Sequence, residues 1–320
     1  MLDNLARKKF FSFLDGFRGY NQIQISPKDR DKTALTCPWG TFSYWVLPFG
    51  LCNTPATFQR AVLSIFSELV HDAIEIYMDD FTPYGSDFQE ALPNLGKVLN
   101  KCIEMNVSLS LKKCDFFMTE GTVLGHAISQ QGPQVDPKKI AIIRRVPPPQ
   151  KVRDIISFLG LAGYCRRFIQ DFSKITSPLF GLLGKDVEFI WSKNCQEALD
   201  TLKSKLVIAA ILRGPNWALH FHIHTGASNK AIREALGKID ENLPNAIYFI
   251  SKNLSKVELN HTVTKKELLV VVHSLNKFKH YITGYQTFVH TDHVAIRYLM
   301  KKLDVNARII RWFLYCSSLI

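Results

Sequence analysis

The sequence contains no Cys-X-X-Cys pair. Its seven cysteines, Cys37, Cys52, Cys102, Cys114, Cys165, Cys195 and Cys316, are scattered and odd in number. That excludes a zinc ribbon or a dense disulfide framework and reads as the reduced thiols of an intracellular chain. No run of 18 apolar residues is present, so no membrane span is expected. The opening Met1-Leu2-Asp3-Asn4-Leu5-Ala6-Arg7-Lys8-Lys9 has no apolar signal-peptide core. Asp-Thr-Gly and Asp-Ser-Gly boxes are missing, which excludes an aspartic protease, and no His-His-Cys-Cys zinc pattern occurs. Acid is also scarce: 28 Asp and Glu stand against 40 Lys and Arg, a formal charge of +12. A surplus of that sign favours polyanionic partners through counterion release. The 320 residues, 47% of them hydrophobic, suffice for about two domains with real cores.

What is there begins with Tyr77-Met78-Asp79-Asp80. It follows the run Ala73-Ile74-Glu75-Ile76 and leads into Phe81-Thr82-Pro83-Tyr84-Gly85, so it reads as strand, tight turn, strand, with two carboxylates at the tip. Adjacent aspartates repel unless a cation sits beside them. Aspartate is also an ordinary turn residue, and the tetrapeptide alone does not separate the two readings. A third acid decides: Phe10-Phe11-Ser12-Phe13-Leu14-Asp15 reads as a buried strand ending in a carboxylate. Two such strands side by side pool Asp15, Asp79 and Asp80, and a trio of this kind can hold two Mg²⁺ ions roughly 3.5–4 Å apart, with Mn²⁺ as a substitute. One ion activates a primer 3′-hydroxyl and the other neutralises a triphosphate and its leaving pyrophosphate, which is nucleotidyl transfer. Asp80 is the most peripheral member of the expected catalytic and metal-binding set.

Around these acids the chain resembles the Pol polyprotein of gypsy-type LTR retrotransposons, from reverse transcriptase into RNase H. The resemblance is carried by Phe13-Leu14-Asp15-Gly16-Phe17-Arg18-Gly19-Tyr20-Asn21-Gln22-Ile23, Leu47 to Gln59, the box at 77–80, Val123-Leu124-Gly125-His126, Phe158 to Phe168, and Thr291-Asp292-His293, in family order. It implies an α+β chain: a palm (sheet backed by helices) over residues 1–130, a helical thumb over 131–185, and an RNase H-like mixed-sheet domain over 186–320. It implies substrate-binding roles for Tyr20, Phe49, Gly50, Tyr77 and Met78. Tyr20 would pack under the sugar of the incoming nucleotide and disfavour a 2′-hydroxyl. Leu124, Gly125 and His126 resemble a primer grip. The implied partners are an RNA template, a DNA primer, their RNA–DNA hybrid and deoxynucleoside triphosphates, in a cytoplasmic particle or the nucleus.

Periodicity supports the division. Thr54 to Val70 reads as a helix with Pro55 in its first turn, and Leu92 to Asn106 as another opened by Pro93. Pro147-Pro148-Pro149 is a stiff break. After it, Val152, Ile155, Ile156 and Leu159 share one helix face. Gly160 and Gly163 continue that helix and allow close approach, and Arg166 and Arg167 follow, so the segment is expected to grip duplex phosphates.

Leu219-His220-Phe221-His222-Ile223-His224 alternates as a strand does. Its three histidines could take Zn²⁺ or Ni²⁺, but no cysteine or acid is adjacent, and the segment matches a structural strand of the family. Thr264 to Ile282 reads as an amphipathic helix with Glu267 near its start, and Val289-His290-Thr291-Asp292 as a strand ending in an acid. The resemblance makes Glu267 and Asp292 two members of the RNase H carboxylate set. Gly226 stands where the first member, an aspartate, is expected, Arg233 departs from the family's glycine-bearing hairpin, and the fourth member is expected beyond residue 320. The RNase H part is therefore expected to be inactive.

Only fourteen residues precede Asp15, whereas the family places a fingers segment there, so the polymerase half is also read as incomplete. Two alternatives follow: a non-catalytic nucleic-acid-binding relic, or an RNA-dependent RNA polymerase, against which the bulky Tyr20 and the trailing RNase H-like region argue.

Overall fold

In the computed structural model the described residues are 1–185, 187–208, 211–240, 243–294 and 296. They form two compact units, Met1–Gly132 and a second beginning at Pro133.

The strands are β1 (Phe10–Asp15), β2 (Leu35–Cys37), β3 (Gly40–Phe42), β4 (Ile74–Tyr77), β5 (Asp80–Gly85), β6 (Asp115–Met118), β7 (Glu120–Val123), β8 (His126–Ser129), β9 (Gly132–Val135), β10 (Phe221–Ala227), β11 (Ala231–Asp240), β12 (Leu243–Asn253) and β13 (Thr287–His290). The helices are α1 (Leu2–Leu5), α2 (Thr54–Ile65), α3 (Phe88–Glu104), α4 (Pro137–Arg145), α5 (Val152–Tyr164), α6 (Phe172–Gly181), α7 (Lys193–Val207), α8 (Lys256–Leu259) and α9 (Val263–Ile282).

The first unit is built on an antiparallel sheet in the order β4-β5-β1-β6. Alternation along β1 decides the packing. Leu14 joins Phe58 and Val62 of α2, Phe81 of β5 and Leu95 and Val98 of α3 in one core. Phe11 faces the other way, into a smaller cluster with Leu5, Tyr84, Val123 and Ile128. α2 starts on Pro55 as expected but ends at Ile65, with a turn over 66–69 rather than helix to Val70. α3 starts earlier than expected: Asp87 caps it by accepting from Glu90 N at 2.8 Å, and Pro93 lies inside the helix. A proline can mark a first turn, but here the capping carboxylate sets the start. Gly85 has no room for a side chain, since a Cβ there would lie 2.4 Å from Ala91 N.

The second unit joins helices and sheet. The sheet order is β12-β11-β10-β13, with β13 parallel to β10 and the other pairings antiparallel. α9 covers one face: Phe221, Ile223, Leu236 and Ile247 pack on Leu275 and Phe278. α4 to α7 share a core of Ile143, Ile155, Phe158, Leu179 and Leu199, against which Ala246 and Phe249 of β12 also pack. The expected boundary at 185 thus falls inside one compact unit. The helix expected at 264–282 spans Val263–Ile282. The strand expected to end on Asp292 ends at His290, leaving Asp292 just beyond it. Among the described residues no helix is long and apolar enough to cross a membrane.

Candidate functional site

The sheet of the first unit brings the three acids to one end. β1 and β5 pair with Asp15 opposite Asp80, and β4 and β5 close on the two-residue turn Met78-Asp79 between Tyr77 and Asp80. Gly16 N donates to Asp79 O at 2.9 Å, tying the end of β1 to that turn. The turn holds Met78 in the left-handed region, φ 52°, which a side chain rarely adopts. Gln59 of α2 secures it: its Oε1 accepts from Met78 N at 2.6 Å. Strain of this kind persists where surrounding structure enforces it, and it concentrates at functional turns.

The electrostatics are those of crowded carboxylates. Burial holds the Asp79 carboxyl above the usual range, and the charges of Asp15 and Asp80 add to it. Asp80 is raised for the same reasons, burial first and then Asp15. Lys113 opposes both, and its Nζ lies 3.2 and 3.3 Å from the two carboxylate oxygens of Asp15. Asp79 Oδ1 is buried with no hydrogen-bond partner among the described residues. An orphaned carboxylate oxygen beside two more acids is the donor chemistry that a hard divalent cation satisfies. The cage is not closed as it stands. Among the described residues no group of three or more His, Cys, Asp or Glu is placed to hold one ion together. Lys113 supplies the counter-charge instead.

Tyr20 sits beside the acids. Its ring lies 5.3 Å from Phe58 and 4.8 Å from Phe49, centroid to centroid. Burial raises its phenol pKa, followed by the charge of Asp79. Phe49 is exposed, and Gly50 takes φ +101°, a conformation suited to glycine alone. Tyr77 is exposed at the tip of β4. Gly19 is packed so closely that an added Cβ would lie 2.4 Å from Asp79 Oδ1 and 2.8 Å from Phe58 Cζ. Leu124 and Gly125 form the turn of the β7–β8 hairpin, both with positive φ, the geometry that two-residue hairpins favour. His126 is buried, with its Nδ1 3.1 Å from Leu124 O.

The expected thumb contacts divide. Gly160 and Gly163 face open space: among the described residues nothing lies within 4 Å of where a Cβ would be. Arg166 is exposed, with one terminal nitrogen donating to Ser251 O at 3.2 Å. Arg167 does not fit the expectation: it is 8% exposed, donates to Ile247 O, and its guanidinium lies 4.7 Å from the Tyr248 ring centroid. Burial against β12 takes it away from any phosphate.

The second unit holds the other acids. Gly226 pairs across the strands with Arg233, and a Cβ on Gly226 would lie 2.9 Å from Arg233 Nε. Glu267 accepts from Ala227 N at 3.0 Å. Its carboxyl is raised by burial and by Asp292, while Arg233 and His293 pull it down. Gly226, Glu267 and Asp292 therefore converge, with a guanidinium over the position where a first carboxylate would sit.

Gln59 and Lys113 are the site residues that sequence reasoning missed. Each acts on a partner at least 19 residues away in sequence, and no local pattern marks it.

Residues 1–128 match the family described as reverse transcriptase (RNA-dependent DNA polymerase), and residues 216–318 match the RNase H-like domain found in reverse transcriptase. The chain is 33% identical over 323 residues to the retrovirus-related Pol polyprotein from transposon opus of Drosophila melanogaster, covering 97% of this chain and 32% of that protein. Against the Pol polyprotein from transposon gypsy of the same organism the identity is 31%, over 99% of this chain and 32% of that one. The chain thus spans about a third of the length of these relatives. A solved foamy viral protease–reverse transcriptase in complex with an RNA/DNA hybrid superposes with a TM-score of 0.86 at 25% identity, covering 98% of this chain and 43% of that one.

Proposed function

Given that the chain belongs to the gypsy-type LTR-retrotransposon Pol family and carries its reverse transcriptase and RNase H-like domains, we propose that Asp15, Asp79 and Asp80 form its site for RNA-templated DNA synthesis from deoxynucleoside triphosphates. The observation that carries this reading is the pairing of Asp15 with Asp80 beside the strained Asp79 turn. Two bound Mg²⁺ ions would supply activation of the primer hydroxyl and neutralisation of the triphosphate. The three carboxylates would hold them, once Lys113 releases Asp15. Asp79 Oδ1, buried and without a hydrogen-bond partner among the described residues, is the donor that gains most from an ion. Tyr20, in ring contact with Phe49 and Phe58, would form the floor on which a sugar rests and disfavour a 2′-hydroxyl. Leu124 to His126 would position the primer end, and the open face at Gly160 and Gly163 would admit the duplex, with Arg166 at its margin.

One observation favours a second reading, nucleic-acid binding without turnover: Lys113 occupies both oxygens of Asp15. Primer extension on an RNA template separates the two. Extension abolished by Asp79→Asn supports transfer, whereas duplex binding with no extension supports the second reading.

The RNase H-like part is proposed to be inactive. Glycine offers no ligand, and the Arg233 guanidinium lies over the position that a first carboxylate would need. Incubating the purified chain with a labelled RNA–DNA hybrid and Mg²⁺ should leave the RNA intact. Robust cutting dependent on Glu267 would contradict this.

A further inference from the structure

We propose that His222 and His290, on neighbouring strands of the second unit, form a chelating site for a divalent transition ion that favours imidazole, such as Zn²⁺, Ni²⁺ or Cu²⁺. Along β10, Phe221 and Ile223 enter the core, so His222 and His224 share the opposite face. No acid or cysteine lies next to them in sequence, but β13 supplies the companion. It runs parallel to β10 with His290 opposite His224. The register brings His222 Nδ1 to 2.8 Å from His290 Nε2. Nitrogens bound to one ion at about 2.0–2.1 Å lie roughly 3 Å apart when they are neighbours in its coordination shell, so the pair already has the spacing of a chelate.

The backbone under the pair is fixed. The Phe288 ring stacks on His222 at 5.3 Å, and Thr225 Oγ1 donates to His290 O at 3.1 Å. His290 is exposed and His222 half-buried, so rotation about χ2 can turn both lone pairs onto one ion. His224 stacks on His290 at 4.5 Å and 11°, which leaves it beside the site rather than in it. Burial and the neighbouring imidazoles lower the pKa of His222 and His224. Only the neutral form of an imidazole takes the ion.

The proton balance is simple. In the hydrogen-bonded pair one ring carries its proton on the shared side. When the ion takes that place in a neutral pair, that proton moves to the ring's other nitrogen, and both rings stay neutral. Water completes the coordination, because no third His, Cys, Asp or Glu among the described residues is placed to join. Mg²⁺ prefers oxygen and should not compete.

The test is Ni²⁺ and Zn²⁺ titration of the full chain by calorimetry, with histidine NMR resonances followed in parallel. One equivalent should bind and shift His222 and His290 first. His222→Ala and His290→Ala should each weaken that site at least about tenfold, since a chelate becomes a single ligand, while His280→Ala on α9 should not. Excess Mg²⁺ should leave the binding unchanged. Wild-type affinity in both alanine variants, or no early shift of these two resonances, would overturn the proposal and leave an ordinary hydrogen-bonded pair.

Discussion

Asp79→Asn should lower RNA-templated primer extension by at least about 10³-fold, the scale on which enzymes lose rate when a charge-stabilising group at the reacting centre is removed. The fold should survive, and at neutral pH it should become more stable. Burial and the charges of Asp15 and Asp80 raise the Asp79 carboxyl. The folded protein therefore holds this proton more tightly than the unfolded chain, and ionisation favours unfolding. The sign follows: the cost is absent below the ordinary carboxylate range, appears as pH rises through it, and is complete above the raised folded-state value. Asparagine removes the charge and so the cost. Thermal melts should show the variant's advantage at pH 7 and its disappearance at pH 3. Loss of extension together with a lower melting temperature at pH 7 would mean that Asp79 is held for structure.

Gly19→Ala should damage both function and stability, although it adds only one methyl group. The new Cβ would lie 2.4 Å from Asp79 Oδ1 and 2.8 Å from Phe58 Cζ. Phe58 is packed in the core beneath the site and has little freedom to yield. The Asp79 carboxylate must turn away instead. Misplacement of about 1 Å at a reacting centre costs on the order of 10²-fold, and overpacking costs about 1–3 kcal/mol. Extension rates and melting temperature should both fall, with primer–template affinity within a few-fold of wild type. An alanine variant as active as the parent would show that the carboxylate need not point where the structure puts it.

Much of this was legible in the sequence because the signals were local. A strand ending in Asp15, a hairpin at Tyr77 to Asp80, the break at Pro147 to Pro149 and the long helix carrying Glu267 each announce themselves within a dozen residues. Boundaries were less legible: Pro93 suggested a helix start, but the Asp87 cap placed it earlier. Long-range partners were not legible at all. Nothing near Lys113 in sequence says that its ammonium meets a carboxylate 98 positions away. Nothing near Arg167 says that its guanidinium is buried against β12. The pair at His222 and His290 depends on the register of two strands separated by 68 residues. Sequence pattern tells which face a side chain takes; what waits on that face is decided by the rest of the chain.

The gathering of three acids from two distant segments is the central claim, and Mn²⁺ binding tests it most directly. With primer–template and a deoxynucleoside triphosphate present, electron paramagnetic resonance should show Mn²⁺ bound by the wild-type chain and lost in both Asp15→Asn and Asp79→Asn, each still folded. Mn²⁺ held equally well by either variant would contradict the account, because it would mean that the two carboxylates do not share an ion.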